Sequence, residues 1–180
     1  MTERLEALEG NLIVLRQAVE VLARLDDVTY ATGGAAPEVG LSPVGVHFRH
    51  VFDHYRAFLS GLACDEIDYD SRQRQTPVEQ DRQLAIAMAL GFATDLGRLP
   101  PELGNRPIRI TVRSVAHHAT EADWSHSSLK RELQFLVSHT VHHYALIKEL
   151  LRRAGFDAGE EFGVAPSTLA ALRPDIACAR

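Results

Sequence analysis

Six of the chain's nine histidines fall into two short runs. His47, His50 and His54 lie in VGVHFRHVFDHYRAFLSGL, and His139, His142 and His143 lie in LKRELQFLVSHTVHHYALIKELLRRAG. At about 100° per residue, side chains three, four and seven apart leave a helix on one side. Each run can therefore aim several imidazoles at a common point. Neutral imidazole is the commonest side-chain ligand for transition metals, and a two-plus-one arrangement leaves coordination positions open to water or substrate. The spacing predicts a metal site between helices.

The later run is the more informative. Its apolar face is defined by Leu129, Leu133, Leu136, Leu146, Ile147 and Leu150. With His139 at zero, that face covers about −20° to +120°, and His139 and His143 fall inside it at about 0° and 40°. His142, at about 300°, lies on its border. Two imidazoles turned into a core without partners cost about 1–3 kcal/mol each, and one metal ion would satisfy both. The competing explanation is a pair of core histidines bonded to carbonyls or water. In the earlier run the apolar arc is Val44, Phe48, Val51, Tyr55, Phe58, Leu59 and Leu62, with the histidines along one edge. That wheel ranks His47 or His54 above His50, which sits nearest the solvent side.

These runs need helices to hold them, and four long amphipathic stretches are predicted. The first spans Glu3 to Leu25, where Leu5, Leu8, Leu12, Leu15, Val19, Leu22 and Leu25 recur at three- or four-residue intervals. A Gly/Ala/Pro-rich loop from Thr32 to Pro43 follows. The second stretch runs from Pro43 to Ala63, with Ser42 as N-cap and Pro43 in the first turn. Asp65 to Gln75 reads as a polar connector. Thr76 with Glu79 forms a capping box for the third stretch, which Pro100-Pro101 closes. Arg106 to Ala116 reads as a short strand or extended crossover, with nothing to pair with except a second copy, as in a homodimer. The fourth stretch covers Ser127 to Ala154, with Arg152 and Arg153 in its last turn and Gly155 beyond. A short helical turn is expected at Ser167 to Leu172. The expected fold is all-α, a single four-helix bundle domain over residues 1–180 with a long crossover before the last helix.

In this order of elements the chain resembles the DinB/YfiT-like superfamily of metal-dependent enzymes. The resemblance rests on His50-Val-Phe-Asp53 and on His139-Thr-Val-His142-His143, an H-x-x-x-H with an extra histidine inside it. It implies a DinB-like four-helix bundle in which His50, His139 and His143 hold a divalent metal. On the second stretch this choice departs from the wheel ranking. Histidine-only ligation suits Zn, Ni, Fe, Co or Mn. Asp53 and Glu132 are candidates to orient an imidazole, and His47, His54 and His142 to relay protons.

Three ligands leave an open site, which suits catalysis. The resemblance implies the activity of a metal-dependent hydrolase or low-molecular-weight-thiol S-transferase acting on a small molecule, a thiol or an electrophile. The alternative is a non-catalytic helical bundle that binds a metal or a ligand. A di-iron carboxylate bundle is set aside because it needs Glu-x-x-His motifs. His117, His118 and His126 are expected at the surface or the pocket rim, and Trp124 in packing. Tyr69, Arg72 and Arg74 are candidates to hold an anionic substrate. A net charge of −5 over 180 residues supplies no basic stripe for nucleic acid. No apolar run approaches a membrane span of roughly 18 residues. MTERLEALEG does not read as a signal peptide, and Cys64 and Cys178 are too far apart to suggest a disulfide framework. A cytoplasmic setting is expected.

Overall fold

The computed structural model describes residues 5–33, 42–71, 76–100, 104–115 and 122–172. Its helices are α1 (Glu6–Arg24), α2 (Asp27–Thr32), α3 (Val44–Gly61), α4 (Arg82–Gly97), α5 (Leu129–Arg153) and α6 (Pro166–Leu172). Three strands, β1 (Glu66–Asp68), β2 (Pro107–Thr111) and β3 (Trp124–Ser128), form one mixed sheet in the order β1-β2-β3. β1 runs parallel to β2, with Ile67 opposite Ile110, and β2 runs antiparallel to β3, with Arg109 opposite His126.

The all-α expectation is therefore wrong: this is a helix-rich mixed fold. The four long helices are present as α1, α3, α4 and α5, but the connector and the crossover contribute a sheet. β2 turns Ile108 (buried) and Ile110 (half-buried) to one face and exposes Pro107 and Arg109 on the other, the alternation of a strand with one covered face, and Thr111 at its end is buried on the second face. Its backbone groups find partners on both sides within the chain, so the strand gives no reason to invoke a second copy. The polar connector supplies β1 through one buried apolar residue, Ile67.

Helix starts also differ from expectation. The Thr76 hydroxyl caps no backbone N–H, and only a 3₁₀ turn, Pro77–Glu79, follows it. Asp81 caps α4 instead, accepting from the Leu84 N–H at 2.9 Å, because a short carboxylate at an N-cap reaches the orphan donors of the first turn. Asp26 does the same for α2 at Thr29. Ser42 makes no cap for α3, which begins directly after Pro43. Ser128 ends β3 and caps α5 through the Arg131 N–H, so strand and helix join without a loop.

α1 packs on α4 and α5, and α3 packs on the same two helices from the other side, with β1 and the 3₁₀ turn against it. Three fully buried polar residues tie α1, α3 and α5 together. Asn11 donates to the carbonyls of Ala7 and Leu133 at 2.7 and 2.8 Å. Tyr55 donates to Asn11 Oδ1 at 2.8 Å, and Thr140 faces the Tyr55 oxygen at 3.4 Å. A further contact seats α3 at both ends. A Cβ at Gly45 would run into the carbonyl of Glu79, and one at Gly61 into that of Glu66.

Gly45→Ala and Gly61→Ala should each destabilise the protein by about 1–3 kcal/mol, since backbone rather than a movable side chain blocks the added methyl. Gly91→Ala, in open space on α4, should stabilise it by about 0.5–1 kcal/mol by restricting the unfolded chain. Urea unfolding midpoints of the three variants test both signs.

Candidate metal centre

α3 and α5 lie side by side with their histidines turned toward each other. His50 Nε2 and His139 Nε2 are 3.2 Å apart. Each of His50, His139 and His143 offers a nitrogen lying within 4.8 Å of those of the other two. The rings crowd one another: centroids are 5.0 Å apart for His50–His139, 4.5 Å for His50–His143 and 4.7 Å for His139–His143. All three rings are half-buried.

The remaining histidines of the two runs have distinct places. His47 Nδ1 stands 3.1 Å from His143 Nδ1. His54 is buried, and its Nδ1 donates to the His50 carbonyl at 2.9 Å. Its ring lies 4.0 Å from that of His139, centroid to centroid. His142 is exposed, with its ring edge-on to His143 at 5.3 Å. His126 is exposed in β3, and Trp124 is half-buried with Arg109 over its ring at 5.1 Å. His117, His118, Arg72, Arg74 and Cys178 lie outside the described residues.

The two carboxylates proposed to orient imidazoles have other partners. Asp53 is buried and held by Arg56 at 2.7 Å and Arg49 at 3.2 Å, while Arg49 also reaches Glu79 at 2.9 Å. Glu132 is buried and accepts hydrogen bonds from Tyr69 at 3.0 Å and Ser127 at 2.5 Å. Tyr69 points inward, not toward a substrate. Its ring stacks on His54 at 5.4 Å and meets Phe135 at 5.2 Å, and Phe135 in turn stacks on His139. Sequence reading missed this aromatic backing. The signal was available in Phe135, which stands four residues before His139 on the same helix face.

Electrostatically His47, His139 and His143 are pushed toward the neutral form. Burial drives the His139 pKa down to about 2, aided by His54, His143, His50 and His142. Burial, followed by His47, His142 and His54, lowers that of His143 to about 4. His47 is lowered as well, by burial and then by His142. Neutral imidazole is the metal-binding form. Metal–nitrogen bonds of about 2.0–2.1 Å put two nitrogens on one ion roughly 2.9–3.4 Å apart, from right-angle to tetrahedral arrangements. The His50–His139 separation falls in that span. His139 Nδ1 is buried without a hydrogen-bond partner, so among the described residues His50 is the polar contact shown for that ring. The donor set thus fits a divalent transition metal.

No family model and no solved structure matches the chain. A protein of Rhizopus delemar named FK506-binding protein 5 is 32% identical over 108 residues, 57% of this chain and 26% of that protein. The chain thus spans about a quarter of the length of that relative.

The depressed histidine pKa values set a pH dependence for the metal-free protein. Unfolded histidines titrate near 6.5, so as pH falls the unfolded chain takes up protons before the folded one. Stability should be level above about pH 6.5 and fall progressively toward pH 4. His139→Leu should make that decline shallower by about one proton. Unfolding midpoints measured in chelator between pH 7.5 and 4.5 check the slope. Equal slopes in the two proteins would show that His139 is not held neutral.

Proposed function

We propose that the chain is a metal-dependent enzyme of the DinB/YfiT-like kind, with His50, His139 and His143 holding one divalent transition metal. The observation that carries this reading is the meeting of three imidazoles from two helices, two of them at the spacing a shared ion imposes. Zn, Ni, Fe, Co and Mn all accept such a donor set. Three protein ligands leave one to three positions for exchangeable ligands, as catalytic sites require. When bound, such an ion supplies Lewis acidity and lowers the pKa of a coordinated water or thiol. The reaction class is hydrolysis or transfer of a low-molecular-weight thiol to an electrophile, on a small-molecule substrate.

The chain's own residues restrict what surrounds the site. Phe135 and Tyr69 wall the His54–His139 side with rings, and the Tyr69 hydroxyl is committed to Glu132. Burial raises the Tyr69 pKa, and the Glu132 charge raises it further, so this phenol stays protonated. Among the described residues no helix is long and apolar enough to cross a membrane, and the acidic composition suits a cytoplasmic enzyme better than a nucleic-acid binder. A second reading, a non-catalytic metal- or ligand-binding protein, is favoured by one observation. Both buried carboxylates near the cluster, Asp53 and Glu132, are engaged by other side chains.

Protein purified without a histidine tag should carry about one divalent metal per chain by elemental analysis. His139→Ala and His143→Ala should each lose it, whereas exposed His142→Ala should keep it. His50→Ala should lower metal content more than His47→Ala or His54→Ala. Wild-type metal content in the His139/His143 double variant would sink the proposal. Equal loss at His142 and His143 would show that the wrong face of α5 had been chosen. Thiol-transfer and hydrolase activity should vanish with chelator and return with added metal. A metal-replete protein inert toward small thiols, electrophiles and esters would favour the binding reading.

A further inference from the structure

We propose that His47 is a positioning residue, which accepts a hydrogen bond from Nδ1–H of His143 and so fixes how that ring presents Nε2. The inference rests on the metal-binding reading above and adds a residue outside its ligand set. The two Nδ1 atoms are 3.1 Å apart, and the rings are tilted by 50° with centroids 5.4 Å apart. A neutral imidazole has one donor and one acceptor nitrogen, so at this separation one ring donates and the other accepts. With Nδ1 of His143 committed to His47, the nitrogen left for an ion is Nε2. A ring that binds through Nε2 carries its proton on Nδ1, which makes His143 the donor and His47 the acceptor. His47 then keeps its own proton on Nε2.

The arrangement is asymmetric in an informative way. His139, the other member of the H-x-x-x-H pair, has its Nδ1 buried without a partner. Of the two α5 rings, only His143 is therefore oriented through Nδ1 from outside the ligand group. The orienting residue sits on α3, three positions before His50. One helix thus supplies both a ligand and the contact that aims a ligand on the other. Outer partners of metal-bound imidazoles orient the ring and raise its basicity, and removing one typically weakens metal binding about 10–100-fold.

The test uses the full chain, stripped of metal and titrated with zinc against a chromophoric chelator, with cobalt(II) absorption as a second readout. His47→Ala should weaken zinc binding roughly 10–100-fold while still reaching about one ion per chain at saturation, and should shift the cobalt spectrum. His47→Asn, whose side-chain oxygen can accept where Nδ1 did, should recover most of the affinity and the wild-type spectrum. His47→Phe keeps the ring without the acceptor and should behave like His47→Ala, which covers the case in which the alanine variant does not fold. Unchanged affinity in His47→Ala or His47→Phe, with binding lost in His143→Ala, would overturn the role of His47 and leave the metal site standing. Loss of all zinc in both His47→Ala and His47→Asn would make His47 a ligand, which also overturns it. Failure of the wild-type chain to bind zinc or cobalt would remove the metal reading itself, and this inference with it.

Discussion

The register between α3 and α5 is the constraint on which the rest depends, and a buried polar chain sets it. Asn11, Tyr55 and Thr140 are each fully buried, and each would leave an unsatisfied polar group in the core if the helices slid past one another. Such a group costs about 1–3 kcal/mol, so the arrangement that pairs all three is strongly preferred. Thr140 follows His139, and Tyr55 follows His54. A rotation of about 100° separates neighbours on a helix. Turning Thr140 and Tyr55 toward α1 therefore turns His139 and His54 onto the adjacent flank, where the two rings meet. His143, one turn beyond His139, and His50, one turn before His54, extend that flank in opposite chain directions. The imidazole cluster is a geometric consequence of the hydrogen-bonded core.

Much of this architecture was legible in the sequence because long amphipathic helices repeat their signal many times. The leucine spacing of α1 and the apolar face of α5 each span several turns, and Leu129, Leu133, Leu136 and Ile147 are all buried. Leu146, counted on the same face, is 42% exposed, because an arc drawn from residue types is wider than the surface the neighbours cover. The sheet escaped notice for the opposite reason. β1 is three residues long and β3 reads Trp-Ser-His-Ser-Ser, too short or too polar for alternation to register. Their pairing with β2 is a tertiary fact, set where α3 ends and α5 begins. The capping box at Thr76 failed for another reason: an acidic cap, Asp81, stood five residues on and took the helix start.

The wheel argument on α3 put His50 nearest the solvent side, whereas in the structure it lies against His139 of α5, and the reason for the difference is physical. A wheel assumes one buried face, yet α3 contacts α4, α5, β1 and the 3₁₀ turn. Its covered arc is wider than its apolar arc, and polar residues fill the difference. His50 faces α5. Asp53 is covered as well, but as the centre of an ion-pair group with Arg49 and Arg56. A buried carboxylate left without those arginines would carry an uncompensated charge. Its place next to the histidines in sequence therefore reflects the needs of α3's own packing.

That separation of charge bears on what the cluster can bind. The carboxylates nearby are neutralised by arginine or bonded to hydroxyls, and His139 and His143 are held uncharged by burial. An ion held by three neutral rings keeps its full positive charge, unlike one held by aspartate or cysteine. In a partly buried setting such a charge is costly until an anion joins it. Open positions beside neutral imidazoles therefore favour a ligand that arrives as, or can become, an anion: a thiol that ionises, a water that loses a proton, or a carboxylate. Of these, a thiolate gains most from a soft, borderline metal and least from water. Under the metal-binding proposal a thiophilic ion would rank thiol transfer ahead of hydrolysis, while the arginine-bound Asp53 leaves no carboxylate of α3 free to compete with an incoming anion.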